Sequence, residues 1–256
     1  MTDKIVYEQP LNERMRTFMR LEFLAQQVRS TVDGTSPWSS RMTLATILDI
    51  QSVFSRADIK TELIKELERL GATLERLSQN PSVDTSKLTR VLENIDAYSD
   101  RLHATQGPIG QELKDLEILN AVRQRSSIPG GACPFDLPGY HFWIEQPFQR
   151  RHDDLQSWLR PYEFALDAAQ LILSLLRDST PPTSEVAAGG FFQLNLDQNT
   201  PCQMVRVALR ADSPYYAEIS AGRHRIAIRF MGLRLRERDV PANEDVPFLL
   251  TTAAFG

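Results

Sequence analysis

The chain has 256 residues, 42% of them hydrophobic and 24% charged, with 29 Lys+Arg against 33 Asp+Glu for a formal charge of −4. Such a balance excludes a collagen, a coiled-coil rod and a disordered tail, and the mild acidity argues against a general nucleic-acid binder. Two cysteines, Cys133 and Cys202, allow no disulfide framework and no Cys-x-x-Cys zinc pair, and fit a reducing cytosol.

No signal peptide is expected, because Met1-Thr-Asp-Lys leads directly into Ile5-Val-Tyr. Lys4–Glu8 reads as a short strand with Ile5 and Tyr7 on one face, stopped by Pro10. From Leu11, apolar residues at Met15, Phe18, Leu21, Leu24 and Val28 predict a helix, with Arg16 and Arg20 one turn apart off that stripe. Ser39 or Ser40 is expected to cap a second helix carrying Leu44, Ile47, Leu48 and Phe54. Asp58 can cap a third, striped by Ile59, Leu63, Leu67, Leu70, Leu74 and Leu77; Asn80-Pro81 breaks it, and Asp84 caps a return helix with Leu88, Val91, Leu92, Ile95 and Leu102. That pair reads as an antiparallel αα-hairpin. Gly107–Gly110 closes it, and one helix is expected from about Gln111 to Arg125.

Pro and Gly between Ser127 and Pro138 cannot continue a helix. Tyr140–Ile144 is read as a strand, and Gln149–Leu176 as a helical region broken at Pro161. Its most apolar window, Phe164–Leu176, is about one-half to two-thirds of a membrane span and carries Asp167 and Gln170, so no membrane insertion is expected. Thr180–Thr183 reads as a linker. Period-two alternation then marks strands at Phe191–Leu196, Met204–Arg210 and Arg225–Met231, with turn formers at Asn199, Asp212–Pro214 and Ala221-Gly222. The expected fold is α+β: a helical domain over 11–134, the 149–178 helices packing on it or on the sheet, and a smaller, mostly antiparallel sheet domain from 3–9, 135–146 and 186–250.

Cys133, Asp136 and His141 are close in sequence, and a thiolate beside an imidazole would suit a cysteine-dependent hydrolase; the alternative is a small buried filler at Cys133. The four histidines, His103, His141, His152 and His224, lack metal-ligand spacing, and no phosphate-loop motif occurs, so neither metal nor cofactor is expected. The arginines are the stronger signal. Between Gln203 and Arg238 there are eight against three acids, a local excess of five positive charges. Arg225 and Arg229 lie four apart on one strand, hence on one face, with Ala227 between them. Such a face can receive an extended acidic peptide, its guanidinium forks taking carboxylates; the alternative is an ordinary solvated sheet face. A nucleic-acid adaptor working through the same arginines is a weaker reading.

Four blocks then carry a resemblance: Pro10–Leu24, Lys60–Leu67, Val122–Gly131 with Phe135–Pro138, and Arg225–Met231. In order and spacing they resemble the ZapD family, bacterial cell-division proteins that associate with FtsZ. The resemblance implies a cytoplasmic homodimer without enzymatic activity or cofactor, binding the C-terminal tail of FtsZ, bundling its filaments and stabilising the Z-ring at midcell. By position it points to Arg225 and Arg229 first, then Arg56, Arg20 and Arg16, with Arg123 and His141 below them. Lys114–Glu117 is more acidic than related sequences, which argues against a contribution from that segment.

Overall fold

The computed structural model describes residues 3–56, 58–77, 84–196, 202–222, 224–234 and 236–254. It is α+β and divides into two compact units, residues 1–16 with 172–256 and residues 17–171. The expected turns at Asn80-Pro81 and Asn199 lie outside the described residues.

The helical unit is built from α1 (Glu13–Thr31), α2 (Pro37–Arg56), α3 (Ile59–Leu77), α4 (Thr85–Ala104), α5 (Glu117–Arg125), α6 (Pro138–Ile144) and α7 (Phe148–Asp178). The expected hairpin is α3–α4: Leu63, Leu67 and Leu70 from one helix and Leu88, Ile95 and Leu102 from the other are buried. Both expected caps form, Asp58 accepting from the Thr61 amide at 3.2 Å and Asp84 from Ser86 and Lys87 at 3.0 and 3.2 Å. α2 begins earlier than expected, at Pro37 after Ser36, whose hydroxyl accepts from the Ser39 amide at 3.0 Å. Arg151 is buried, and its guanidinium donates to the Gln146, Ser36 and Thr35 carbonyls and to the Ser40 hydroxyl, tying the start of α7 to the α1–α2 turn.

Three expectations in this unit are corrected. Tyr140–Ile144 is not a strand but α6, with Pro138 in its first turn; a helix buries Tyr140, Trp143 and Ile144 together, three and four residues apart, and Tyr140 and Trp143 stack with ring centroids 5.9 Å apart. α7 runs through Pro161 unbroken, its neighbours Trp158, Leu159, Tyr162 and Ala165 all buried, so packing outweighs one missing helical hydrogen bond. The segment 111–125 is a short 3₁₀ turn (Gln111–Leu113) followed by α5, because the Asn120 side chain donates to the Lys114 carbonyl at 2.6 Å and holds a break there.

Among the described residues the β unit has eight strands in two antiparallel sheets: β1 (Lys4–Pro10), β4 (Met204–Arg210), β8 (Val246–Ala253) and β2 (Thr183–Ala187) in the order β1-β4-β8-β2, and β3 (Phe191–Asn195), β6 (Arg225–Gly232) and β5 (Tyr215–Ala221) in the order β3-β6-β5, with β7 (Val240–Pro241) also on β6. Its core is shared by Val205, Val207, Leu209, Ile226, Ile228, Phe230, Phe248 and Leu250. Phe248 joins the sheets through ring contacts to Phe192 at 5.2 Å and Phe230 at 5.1 Å. β2, β5, β7 and β8 were not expected, and β1 passes through Pro10, which pairs with Met204 at the strand end.

On the outer face of the first sheet, Glu8 receives Arg177 at both carboxylate oxygens (2.9 and 2.8 Å) and Arg206 at 2.8 Å. Burial pushes this carboxyl up, but the bonds and charges of Arg177 and Arg206 outweigh it, so Glu8 titrates below its ordinary value.

Candidate anionic-peptide surface

Antiparallel pairing fixes which side chains share the outer face of the β3-β6-β5 sheet. β6 has one buried row, Ile226, Ile228 and Phe230, so Arg225, Ala227 and Arg229 project the other way, both arginines exposed. With a rise of about 3.3 Å per residue the two arginines stand roughly 13 Å apart along the strand. Register places Phe191 opposite Arg229, Gln193 opposite Ala227 and Asn195 opposite Arg225, all three exposed. The Arg229 guanidinium lies 5.8 Å from the Phe191 ring centroid, and Phe191 is 43% exposed. This gives a shallow face with two guanidinium forks, a central small residue and an aromatic edge.

On the other flank β5 sets Glu218 opposite Arg229 and Ser220 opposite Ala227. The sequence reading missed Glu218, although Tyr216, Glu218 and Ser220 alternate as a strand face would. No ion pair joins Glu218 to Arg229 among the described residues, yet a carboxylate in the facing position lowers the local positive potential. Beside it the Tyr216 hydroxyl donates to Asp239 at 2.7 Å, and that bond raises the phenol to about 12. Asp239 also accepts from the Arg234 amide at 2.8 Å, which fastens the loop after β6 to the sheet and lowers this carboxyl.

The arginine excess thins in three dimensions. Arg206 is held by Glu8, Arg210 by Asp212 at 2.6 Å and Arg234 by Glu237 at 2.8 Å, while Arg223 lies outside the described residues. Arg225 and Arg229 have no carboxylate within ion-pair distance among the described residues, and the same holds for Arg236 and Arg238. Arg225 and Arg229 are the two that one strand aligns on a common face.

The other expected residues are elsewhere. Arg16, on α1, is ion-paired with Glu13 at 3.0 Å, and Arg20 on the same helix is exposed. Arg56 is the last residue of α2, its side chain outside the described set. Arg123, on α5, donates to the amide oxygen of Gln51 on α2 and so has a structural partner. His141 sits on α6, its Nδ1 3.8 Å from Glu145. The structure does not join Cys133 to His141: the Cys133 thiol donates to the Gly130 carbonyl and meets Asp136 at 3.7 Å, and no hydrogen bond links the thiol and imidazole among the described residues. No cluster of His, Cys, Asp or Glu that could hold a metal occurs among the described residues, and no helix there is long and apolar enough to cross a membrane.

The fold is thus α+β, with two exposed arginines aligned on one strand face and no carboxylate within ion-pair distance of either among the described residues. Comparison with known proteins is more specific. A family profile described as ZapD, cell division protein, matches residues 19–229. A protein named cell division protein ZapD from Methylococcus capsulatus is 47% identical over 98% of this chain and 98% of its own. Proteins of the same name from Aromatoleum aromaticum and Coxiella burnetii are 39% and 36% identical, over 96% and 98% of this chain and 96% and 95% of theirs. The chain belongs to the ZapD family of cell division proteins.

Proposed function

We propose that the chain binds the acidic C-terminal tail of FtsZ through the outer face of the β3-β6-β5 sheet. As a homodimer it crosslinks and bundles FtsZ filaments, stabilising the Z-ring in the cytoplasm at midcell, with no catalytic step and no cofactor. The observation that carries this reading is the pair Arg225 and Arg229, exposed on one strand face, with Phe191 beside them and no internal carboxylate within ion-pair distance among the described residues. Family membership and the resemblance of the Arg225–Met231 block support it. Arg56, Arg20 and Arg16 remain further candidate contacts implied by that resemblance. Arg123 and His141 follow; the Gln51 bond gives Arg123 a positioning role within the helical unit.

The mechanism rests on valence. A few exposed arginine–carboxylate contacts support affinity of about micromolar order after association costs. A dimer presenting two such faces to filaments that carry many tails gains orders of magnitude in effective binding without any new contact. Phe23 on α1, 65% exposed, and Trp38 on α2, 77% exposed, are candidate apolar contacts for that self-association. The test is a pull-down with full-length and tail-truncated FtsZ, with the oligomeric state measured by sedimentation equilibrium. Capture of the full-length protein alone by a dimer is expected; equal capture of both, or a monomer at working concentration, overturns the reading.

A further inference from the structure

The sheet that carries Arg225 and Arg229 also has an open edge. Among the described residues β3 pairs with β6 alone; β2 parts from it after the single bridge Ala188–Phe191 and joins the other sheet. Two hydrogen bonds fix which backbone groups of β3 are spent. The Phe230 N–H donates to the Gly190 carbonyl at 2.9 Å, and the Leu196 N–H donates to the His224 carbonyl at 2.9 Å. By the alternation of an antiparallel ladder, Phe192 and Leu194 between them also turn their backbone groups toward β6. Gln193 and Asn195 therefore each point one N–H and one C=O away from the sheet, where no strand meets them among the described residues.

This edge is also undefended. Sheet edges are ordinarily kept from pairing with another chain by a charge or a proline. β1 has Lys4, Glu8 and Pro10, β2 has Glu185, β5 has Glu218 and β7 has Pro241. β3 reads Phe-Phe-Gln-Leu-Asn, with neither. Its exposed row, Phe191, Gln193 and Asn195, lies opposite Arg229, Ala227 and Arg225. A chain laid along this edge would run two strand spacings, roughly 9–10 Å, from β6. An arginine and a glutamate side chain together span that gap. Because the two arginines are four residues apart, their acceptors on the added chain would also be four apart, on the same face.

The geometry points to strand addition: an extended acidic peptide pairs its backbone with Gln193 and Asn195 along the free edge of β3 and sends two carboxylates over the sheet to Arg225 and Arg229. Main-chain bonds then supply affinity, and the arginines select the acidic sequence. The inference rests on the tail-binding reading above and adds to it how the tail is held. The experiment is fluorescence anisotropy on the full chain with the labelled FtsZ tail peptide and two copies of it, N-methylated at the odd-numbered and at the even-numbered amides respectively. Successive amides of a strand point to opposite sides, so methylation harms pairing on one side only. One methylated copy should lose at least about tenfold in affinity, and the other should bind within about twofold of the unmodified peptide. Gln193→Pro removes an N–H that β6 does not use, and should weaken the unmodified peptide by about three- to tenfold while the circular dichroism spectrum stays native. If that variant does not fold, the two methylated peptides on the wild-type chain still decide. Equal affinity of the two methylated copies, or full affinity in a folded Gln193→Pro, overturns strand addition; if binding still depends on Arg225 and Arg229, the sheet-face reading stands. Failure of the unmodified peptide to bind, or its full binding by Arg225→Glu/Arg229→Glu, overturns that reading and strand addition with it.

Discussion

Reversing both arginines of the sheet face is the sharpest perturbation of the tail-binding reading. In Arg225→Glu/Arg229→Glu, each position loses an exposed guanidinium–carboxylate contact of about 0.2–1 kcal/mol and gains a repulsion of similar size. The sites stand roughly 13 Å apart, far enough for the two effects to add, giving about 1–4 kcal/mol in all. At about 1.4 kcal/mol per tenfold, tail affinity should fall by roughly five- to a thousandfold. Bundling should fall more steeply, because every crosslink needs two weakened contacts. The fold should survive. The new carboxylate at position 229 would face Glu218 across the β5–β6 pair, costing about 0.2–1 kcal/mol, and loss of the Arg229 contact with Phe191 costs about 0.5–1 kcal/mol more. The assay is fluorescence anisotropy with a labelled tail peptide at two salt concentrations, beside filament sedimentation and circular dichroism. Wild-type affinity should weaken as salt rises, and the double variant should lose most of that dependence. A folded double variant that binds the peptide and pellets filaments as well as the wild type would show that the sheet face is not the site.

Glu218→Gln removes the carboxylate facing Arg229 and should tighten tail binding by about two- to fivefold, the worth of one exposed charge pair, read in the same anisotropy assay. Glu8→Gln removes the negative charge and one of the two acceptor oxygens that Arg177 and Arg206 use and should lower unfolding free energy by about 1–3 kcal/mol in a denaturant titration. The Glu8 carboxyl is lowered on folding from an ordinary value of 4.5, so its contribution is present above that pH and is lost as pH falls through the folded value. The wild type should therefore lose stability below about pH 4.5 more steeply than Glu8→Gln. Gly110→Ala should cost about 2–4 kcal/mol by thermal denaturation. Gly110 has φ +76°, and a Cβ there would stand 2.1 Å from the Tyr162 hydroxyl. Tyr162→Phe, which deletes a buried hydroxyl without a partner among the described residues, should be neutral or stabilising by up to about 1 kcal/mol.

What could be read from the chain alone follows from how strongly each segment is patterned. The α3–α4 hairpin has leucines at helical spacing and an aspartate cap at each start, so local propensity and tertiary burial agree. Tyr140–Ile144 was misjudged because five large residues satisfy either period, and only the helix started by Pro138 buries Tyr140, Trp143 and Ile144 together. Pro161 is a helix breaker by local rules, overridden by buried neighbours on both sides. β8 was hidden because both of its faces hold buried residues, which removes the alternation that marks a half-exposed strand. At the candidate site, the common face of Arg225 and Arg229 was legible from their spacing, since strand period is fixed. Glu218 and Phe191 were not, because only cross-strand register brings them alongside. Chain order could not reveal that Arg206 serves Glu8 either.

The pairing of Lys4 with Arg210 at one end of β1, and of Pro10 with Met204 at the other, has a consequence for biosynthesis. The first strand leaves the ribosome long before its partner is translated, and β4 in turn pairs with β8, which is made later still. The helical segment 17–171 is therefore complete in the nascent chain while β1 still awaits its neighbour. A stalled or truncated product would keep a finished helical unit and an orphaned strand edge, and edges of that kind seed aggregation.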